Sequence, residues 1–315
     1  MNSSNKLAFV FPGQGSQKVG MLAEMAEHHP QVIDTFSEAS TALGYDLWEL
    51  VQAGSQEDLN MTEVTQPALL TSSVALWRVW QAQGGVMPEY MAGHSLGEWS
   101  ALVCAGVLDF SDAVKLVRAR GKYMQEAVPA GLGAMAAIIG LADEKVEEAC
   151  GQACSAEEVV SPVNYNSPGQ LVIAGHKSAV ERAMAGCKEA GAKRALPLPV
   201  SAPFHTSLMK PAADRLAAEI EATTFLSPTV PVVHNVTAKT EGDPAKIKAL
   251  MVEQIYSAVR WVECVQELVQ LGVGSTLECG PGKVLSGLNK RIVKSLNASN
   301  IETTASLESS LAELK

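Results

Sequence analysis

A chain of 315 residues has room for about two domains of roughly 150 residues, or for one large domain carrying an insertion. Apolar residues make up 47% and charged residues 18%, which excludes general disorder; 5% aromatics with abundant Ala and Gly fit helices packed on a sheet better than an aromatic-rich β-sandwich. The net charge of −10, with no block of five Lys or Arg, argues against a nucleic-acid backbone as partner.

Residues 1–6 are polar, and the apolar run 7–11 ends at Pro12 without a small-residue cleavage site, so no signal peptide is expected. That run reads as a buried, parallel strand. Residues 31–43 place Val32, Ile33, Phe36, Ala39 and Leu43 on one helical face, with Gly44 as the stop. A helix opened by Pro67 is predicted over 67–83, ended by Gly84-Gly85. A short strand at 90–93 runs through His94-Ser95 into a helix over 96–105, and Asp109 opens another over 109–127.

From 131 to 200 the pattern changes. Strands at 134–139, 159–164, 170–174 and 193–200 alternate with helices at 143–154 and 178–190, and Asn166-Ser167-Pro168-Gly169 marks a turn. The order β-α-β-β-α-β is the ferredoxin-like split unit. α/β patterning then resumes with a helix at 208–222, a strand at 230–233, a helical stretch across 245–271, a strand at 275–278 and a helix at 283–296. The expected organisation is therefore a large α/β domain from 1–129 and 201–315, interrupted by a small domain at 130–200. Residues 297–315 read as polar, with one weak amphipathic turn at Leu307 and Leu311.

No apolar run approaches the roughly 20 residues that span a bilayer. The most apolar stretch, 132–142, is short and holds Gly133 and Gly140. The six cysteines (Cys104, Cys150, Cys154, Cys187, Cys264, Cys279) form no C-x-x-C pair, which fits a reduced, cytosolic compartment.

Gly93-His94-Ser95-Leu96-Gly97 matches G-x-S-x-G between a strand and a helix. Such a sharp turn projects the Ser95 hydroxyl at a helix N-terminus, and side chains two residues to either side would clash. The free N–H groups there can stabilise an oxyanion. The plain alternative is an N-capping serine. A serine nucleophile needs a base. Of the six histidines, His28 and His29 close a surface helix before Pro30 and are expected in solvent. His94 is expected to point away from its neighbour. His176 opens a helix of the small unit, and His234 ends a strand as a packed or hydrogen-bonded core residue. His205, in the loop Ser201-Ala202-Pro203-Phe204-His205 that returns to the large domain, is the best candidate.

Pro12-Gly13-Gln14-Gly15-Ser16-Gln17, after the first strand, allows close backbone approach to a ligand. Gly131-Leu132-Gly133-Ala134-Met135-Ala136 fits G-x-G-x-x-A, but it precedes a strand, so a dinucleotide site is not expected. Gly280-Pro281-Gly282-Lys283 lacks Walker spacing, and no motif has metal-ligand spacing. Arg120 lies in an otherwise apolar helix near the cleft wall. An inward guanidinium there is expected to need an anionic partner.

Phe11-Pro12-Gly13-Gln14-Gly15-Ser16-Gln17, Thr65-Gln66-Pro67-Ala68, Gly93-His94-Ser95-Leu96-Gly97-Glu98, Arg120-Gly121, Pro203-Phe204-His205 and Gly280-Pro281-Gly282 occur in this order. The set closely resembles the malonyl-CoA:acyl carrier protein transacylases of type II fatty acid synthesis over essentially residues 5–296. The resemblance implies an α/β-hydrolase-like, parallel-sheet large domain with an inserted ferredoxin-like (β-α-β-β-α-β) small domain. It implies Ser95 as nucleophile, His205 as base, the backbone N–H groups of Gln14 and Leu96 as oxyanion hole, and Arg120 as a two-pronged holder of the malonyl carboxylate. Gln254 falls where the family places an amide near the histidine, its carbonyl oxygen orienting the imidazole in a dyad. Trp99 replaces a smaller aromatic, with no loss of activity expected. Phe204 and Leu96 are expected to crowd an α-methyl group.

The implied partners are malonyl-CoA, as substrate, and a phosphopantetheinylated acyl carrier protein, for a cytoplasmic monomer without cofactor, metal, nucleic acid or membrane contact. An acidic carrier protein would have to dock on a local basic patch, with Lys193, Arg194, Lys290, Arg291 and Lys294 as candidates. A serine esterase normally places an acid between the serine and a late histidine, and His205 comes too early for that. A carrier-docking module without chemistry is at odds with the intact Ser95, His205 and Arg120.

Overall fold

Leu7, Phe9 and Phe11 pack into one hydrophobic core and the alternating Ala8 and Val10 into another, so the first strand is buried on both faces, as a central parallel strand must be. This computed structural model describes residues 6–200 and 202–314; residues 1–5, Ser201 at the head of the His205 loop, and Lys315 lie outside the described residues. Among the described residues the strands are β1 (Lys6–Phe11), β2 (Tyr90–Gly93), β3 (Gly133–Ile139), β4 (Val160–Ser167), β5 (Gln170–His176), β6 (Arg194–Pro197), β7 (Val232–Val233), β8 (Val273–Glu278) and β9 (Asn297–Asn300).

Two sheets result. The first has the order β7-β2-β1-β8-β9 and every pairing in it is parallel. The second has the order β4-β5-β3-β6 and is antiparallel throughout. In the second sheet, Ala136, Ile138, Leu171 and Ile173 face the helices Asp143–Ala153 and Lys177–Glu189, while Met135, Val172 and Ala174 face the large core. The period of two thus gives the small sheet a private face and a shared one.

Several elements differ from expectation. The helix carrying Pro67 is Thr62–Ala82, with Pro67 inside it. Its first turn is secured before the proline: Met61 O accepts from the Val64 and Thr65 N–H groups, and Thr65 Oγ1 donates to Leu59 O. Gln66 is thereby helical. The stretch 245–271 is broken into the helix Pro244–Glu253, a 3₁₀ turn Gln254–Tyr256, and the helix Trp261–Gln270. The break arises because Val259 bridges to Asn164 beside β4, exchanging backbone hydrogen bonds with Val163 and Tyr165.

β6 is shorter than 193–200. The strand expected at 230–233 reduces to β7, because Pro231 has no N–H to give and contributes only its carbonyl, which accepts from Met91 N–H. The helix at 283–296 is Val284–Ile292. Residues 297–315, expected as polar chain, supply the edge strand β9 and the helix Thr304–Glu313, nucleated by a Thr303–Ser306 capping box and anchored by buried Leu307. His29, expected in solvent, is buried; its helix Ala23–His28 packs on that C-terminal helix.

Candidate active site

β1, β2 and β8 end at one edge of the parallel sheet, and three glycine-bearing turns meet there. Ser95 takes φ 53° and ψ −108°, a conformation costing on the order of 1–3 kcal/mol for a residue with a side chain. Close packing enforces it. A Cβ on Gly93 would lie 1.9 Å from the Gly97 carbonyl carbon, and one on Gly97 would lie 2.0 Å from Phe11 O. Both glycines of the motif are packing requirements, and the helix Leu96–Cys104 begins immediately after the serine. Leu96 and Gln14 both line the cleft beside Ser95.

His205 also has a positive φ, 63°. Its Nε2 lies 2.7 Å from Ser95 Oγ and its Nδ1 lies 2.9 Å from the main-chain oxygen of Gln254. A carbonyl can only accept, so Nδ1 carries the proton and Nε2 offers a lone pair to the serine hydroxyl. Burial, and then the Arg120 cation, depress the imidazole pKa to about 3, which keeps the ring neutral. The carbonyl that orients the ring is the main-chain one of Gln254, exposed by the helix break at 254. The Gln254 side chain does something else: its Nε2 donates to Ser95 O at 2.9 Å and Glu98 Oε2 at 2.7 Å.

Arg120 is 2% exposed. Its Nη1 donates to Gln66 Oε1 at 2.9 Å, and its Nη2 to Gln254 Oε1 at 3.0 Å and Ser95 Oγ at 3.2 Å. Within the protein the guanidinium is hydrogen-bonded to neutral oxygens, and its buried Nε has no hydrogen-bond partner among the described residues, so no carboxylate of the described residues bonds it directly. The carboxylate of Glu98 is reached only through the Gln254 amide. Burial lowers the Arg120 pKa to about 10, with Glu98 opposing the shift, so the group stays charged at neutral pH. Gly121 allows this proximity, since a Cβ there would lie 2.5 Å from Thr62 O and would push apart the helices that carry Gln66 and Arg120.

His94 is bonded elsewhere. Its Nε2 is 2.8 Å from Asn166 Oδ1, its ring leans on Trp261, and burial lowers its pKa. His234 is a buried, hydrogen-bonded residue, with Nδ1 2.7 Å from Glu98 Oε1. Phe204, 9% exposed, lines the cleft with Leu96, Met124 and Met135. The cleft around Ser95 spans about 600 Å³, including the space open to solvent at its mouth. It is continuous, past Gln14, His94, Asn164, Leu198 and Val200, with an outer groove bounded by Asn60, Val172, Val284 and Leu288. Among the described residues no cluster of three His, Cys, Asp or Glu could hold a metal, and no helix is long and apolar enough to cross a membrane.

Sequence reasoning assigned no role to Gln66, Glu98 or Asn235, which together with Gln254 hold Arg120 and the serine turn. Gln66 and Glu98 stand inside quoted motifs, so their position was signalled; Asn235 carries no local signal.

A hydroxyl hydrogen-bonded to a neutral imidazole, at a helix N-terminus and beside a buried cation, has the chemistry of acyl transfer through serine. Similarity to known proteins also points to acyl transfer. The family model for the acyl transferase domain matches residues 8–310. The malonyl CoA-acyl carrier protein transacylase of Salmonella typhimurium is 63% identical over 308 residues, 98% of this chain and 99% of that protein. Its namesake from Bacillus subtilis is 45% identical, covering 99% and 98%. The crystal structure of an acyl carrier protein S-malonyltransferase from Vibrio cholerae superposes with a TM-score of 0.94 at 61% identity, covering 96% of this chain and 99% of that one. A type II PKS acyl-carrier protein in complex with its malonyl-transacylase gives 0.96 at 58% identity, covering 98% and 99%. The chain belongs to the acyl transferase family, among the malonyl CoA-acyl carrier protein transacylases.

Proposed function

We propose that this enzyme transfers the malonyl group of malonyl-CoA to the phosphopantetheine thiol of an acyl carrier protein through a malonyl-serine intermediate, supplying the extender unit for fatty acid synthesis. The observation that carries the reading is one atom, Ser95 Oγ, held 2.7 Å from His205 Nε2 and 3.2 Å from Arg120 Nη2.

Ser95 Oγ attacks the thioester carbonyl while its proton moves to His205 Nε2. The oxyanion is received by the N–H groups of Gln14 and Leu96. Collapse expels the CoA sulfur, which takes the proton back from His205. The carrier's thiol then repeats the sequence in reverse, its proton passing through the same nitrogen to Ser95. Nδ1 keeps its proton on the Gln254 carbonyl throughout, so Asp or Glu is not needed as a third member.

Arg120 serves as the carboxylate receptor. A malonyl carboxylate would bond the planar guanidinium in two places. Because the Arg120 charge helps to depress His205, pairing that charge with the carboxylate raises the basicity of His205 only when a carboxylated acyl group is present. Phe204 and Leu96 narrow the space at the α-carbon, so methylmalonyl-CoA is expected to react more slowly than malonyl-CoA.

The inserted unit is taken as 130–200, the outer groove as the path of the pantetheine arm, and Lys193, Arg194, Lys290, Arg291 and Lys294 as the carrier's footing. A cytoplasmic monomer that needs no cofactor completes the proposal. Incubation with radioactive malonyl-CoA should label wild-type protein on Ser95 and leave Ser95→Ala unlabelled. Near-full transfer by Ser95→Ala would reject the mechanism.

A further inference from the structure

Asn235 lies in the turn after β7, is fully buried, and belongs neither to the proton path nor to the acyl pocket. Its side-chain amide grips the serine turn from both sides. Oδ1 accepts the Ser95 N–H at 2.8 Å, and Nδ2 donates to Gly93 O at 2.7 Å. The Ser95 carbonyl is held in turn by Gln254 Nε2, at 2.9 Å. The two amides share an anchor. Glu98 Oε2 accepts the Asn235 main-chain N–H at 3.1 Å and Gln254 Nε2 at 2.7 Å.

These bonds answer a definite need. At φ 53° the serine backbone leaves the line of β2 before helical hydrogen bonding has begun. The Ser95 N–H and the Gly93 carbonyl therefore need partners from outside the turn, and a buried peptide group left without one costs about 1–3 kcal/mol. A residue in the left-handed region relaxes unless its surroundings over-determine it. One rigid amide bonding peptide groups on either side of His94 does so.

We infer that Asn235 is a positioning residue for catalysis: by clamping the Gly93 carbonyl and the Ser95 N–H it holds Ser95 in the strained conformation that aims Oγ at His205. The inference rests on Ser95 being the nucleophile. It deepens that reading by assigning the source of the serine's alignment to a side chain outside the G-x-S-x-G motif and 140 residues away in sequence.

The test is the single-turnover rate of Ser95 acylation by malonyl-CoA, followed by rapid quench and mass analysis of the Ser95 peptide. Labelling of the wild-type serine secures the underlying reading; its absence would overturn both. Asn235→Leu removes both side-chain bonds at similar volume, and Asn235→Asp keeps only the acceptor. The acylation rate constant should fall on the order of 10–100-fold in Asn235→Leu and less in Asn235→Asp, the scale of a nucleophile misplaced by a fraction of an ångström to an ångström. KM for malonyl-CoA should stay within about two-fold, and the malonyl-to-acetyl preference should be that of wild type, because the acyl pocket is untouched. Variants that fold and acylate Ser95 within about two-fold of the wild-type rate would overturn the inference, as would a loss that appears only in KM. Failure of both variants to fold would assign Asn235 to folding alone and overturn it equally.

Discussion

The two sheets differ in burial, near-complete along β1, β2 and β8 but partial along β4 and β6, and they supply different things to the cleft. The parallel sheet and the elements at its edge deliver close-packed backbone and directed polar bonds: Gly93 against Gly97, Ser95 at positive φ, and buried Arg120, Gln254 and Glu98 joined by hydrogen bonds. The antiparallel sheet delivers a wall, through Met135, Val172 and the residues 198–200 that follow β6. Where a reacting atom must be aimed, the chain uses strain and directed polar bonds. Where the outer groove needs only a wall, non-directional apolar contact is enough.

Glycine substitutions test this contrast most severely. Gly97→Ala forces a methyl to 2.0 Å from Phe11 O and should destabilise the fold by roughly 3–5 kcal/mol or abolish soluble expression. Gly151→Ala, in the small unit's helix Asp143–Ala153 with no neighbour within 4 Å, should instead stabilise by about 0.5–1 kcal/mol. Thermal melts of both variants decide it. Equal tolerance of the two changes would erase the distinction.

Next in size is Arg120→Ala. Two charge-assisted hydrogen bonds at about 1.5–3 kcal/mol each are lost for malonyl, so kcat/KM for malonyl-CoA should fall on the order of 100-fold or more. Transfer of acetyl should change little or rise. Arg120→Lys should restore only part of the malonyl activity. Proportional losses for both acyl groups would make Arg120 a brace for its helix.

The same variant moves a pH limb. The proposed base, His205, can accept a proton only while neutral, so acylation is expected to be lost as pH falls through its pKa, which burial and Arg120 hold far below the ordinary 6.5. Without the cation that pKa rises, though burial keeps it below 6.5, and the acidic limb should shift to higher pH. The profile is best taken with acetyl-CoA, whose recognition does not need the guanidinium. A limb that stays in place would mean that Arg120 does not act on His205.

The smallest effect belongs to the rim. Lys290→Glu with Arg291→Glu should slow transfer to the carrier protein by about ten-fold while leaving acylation by malonyl-CoA intact, since rim charges mainly set encounter rates. Arg291 also donates to Gln170 Oε1 of the small sheet, at 2.9 Å, so equal slowing of both half-reactions would indicate a disturbed contact between the helix Val284–Ile292 and that sheet, or a wrong patch.

Local pattern reached far into this protein. The apolar run 7–11, the G-x-S-x-G turn with a strand before and a helix after it, and the β-α-β-β-α-β order at 131–200 are each dictated by short-range sterics and burial periodicity, which are written in consecutive residues. Ser95 and Arg120 could be singled out on that basis, and His205 from its loop. Tertiary structure decided the rest. Polar 297–300 became strand β9 because β8 offered it a free edge. The helical pattern 245–271 was broken because Val259 found a partner beside β4, and that break freed the Gln254 carbonyl for His205. Asn235 acquired its place against Ser95, and Glu98 its place between Asn235 and Gln254, only when elements more than 100 residues apart were packed together. Hydrogen bonds between buried side chains depend on direction and distance across the fold, and neither leaves a periodic trace along the chain.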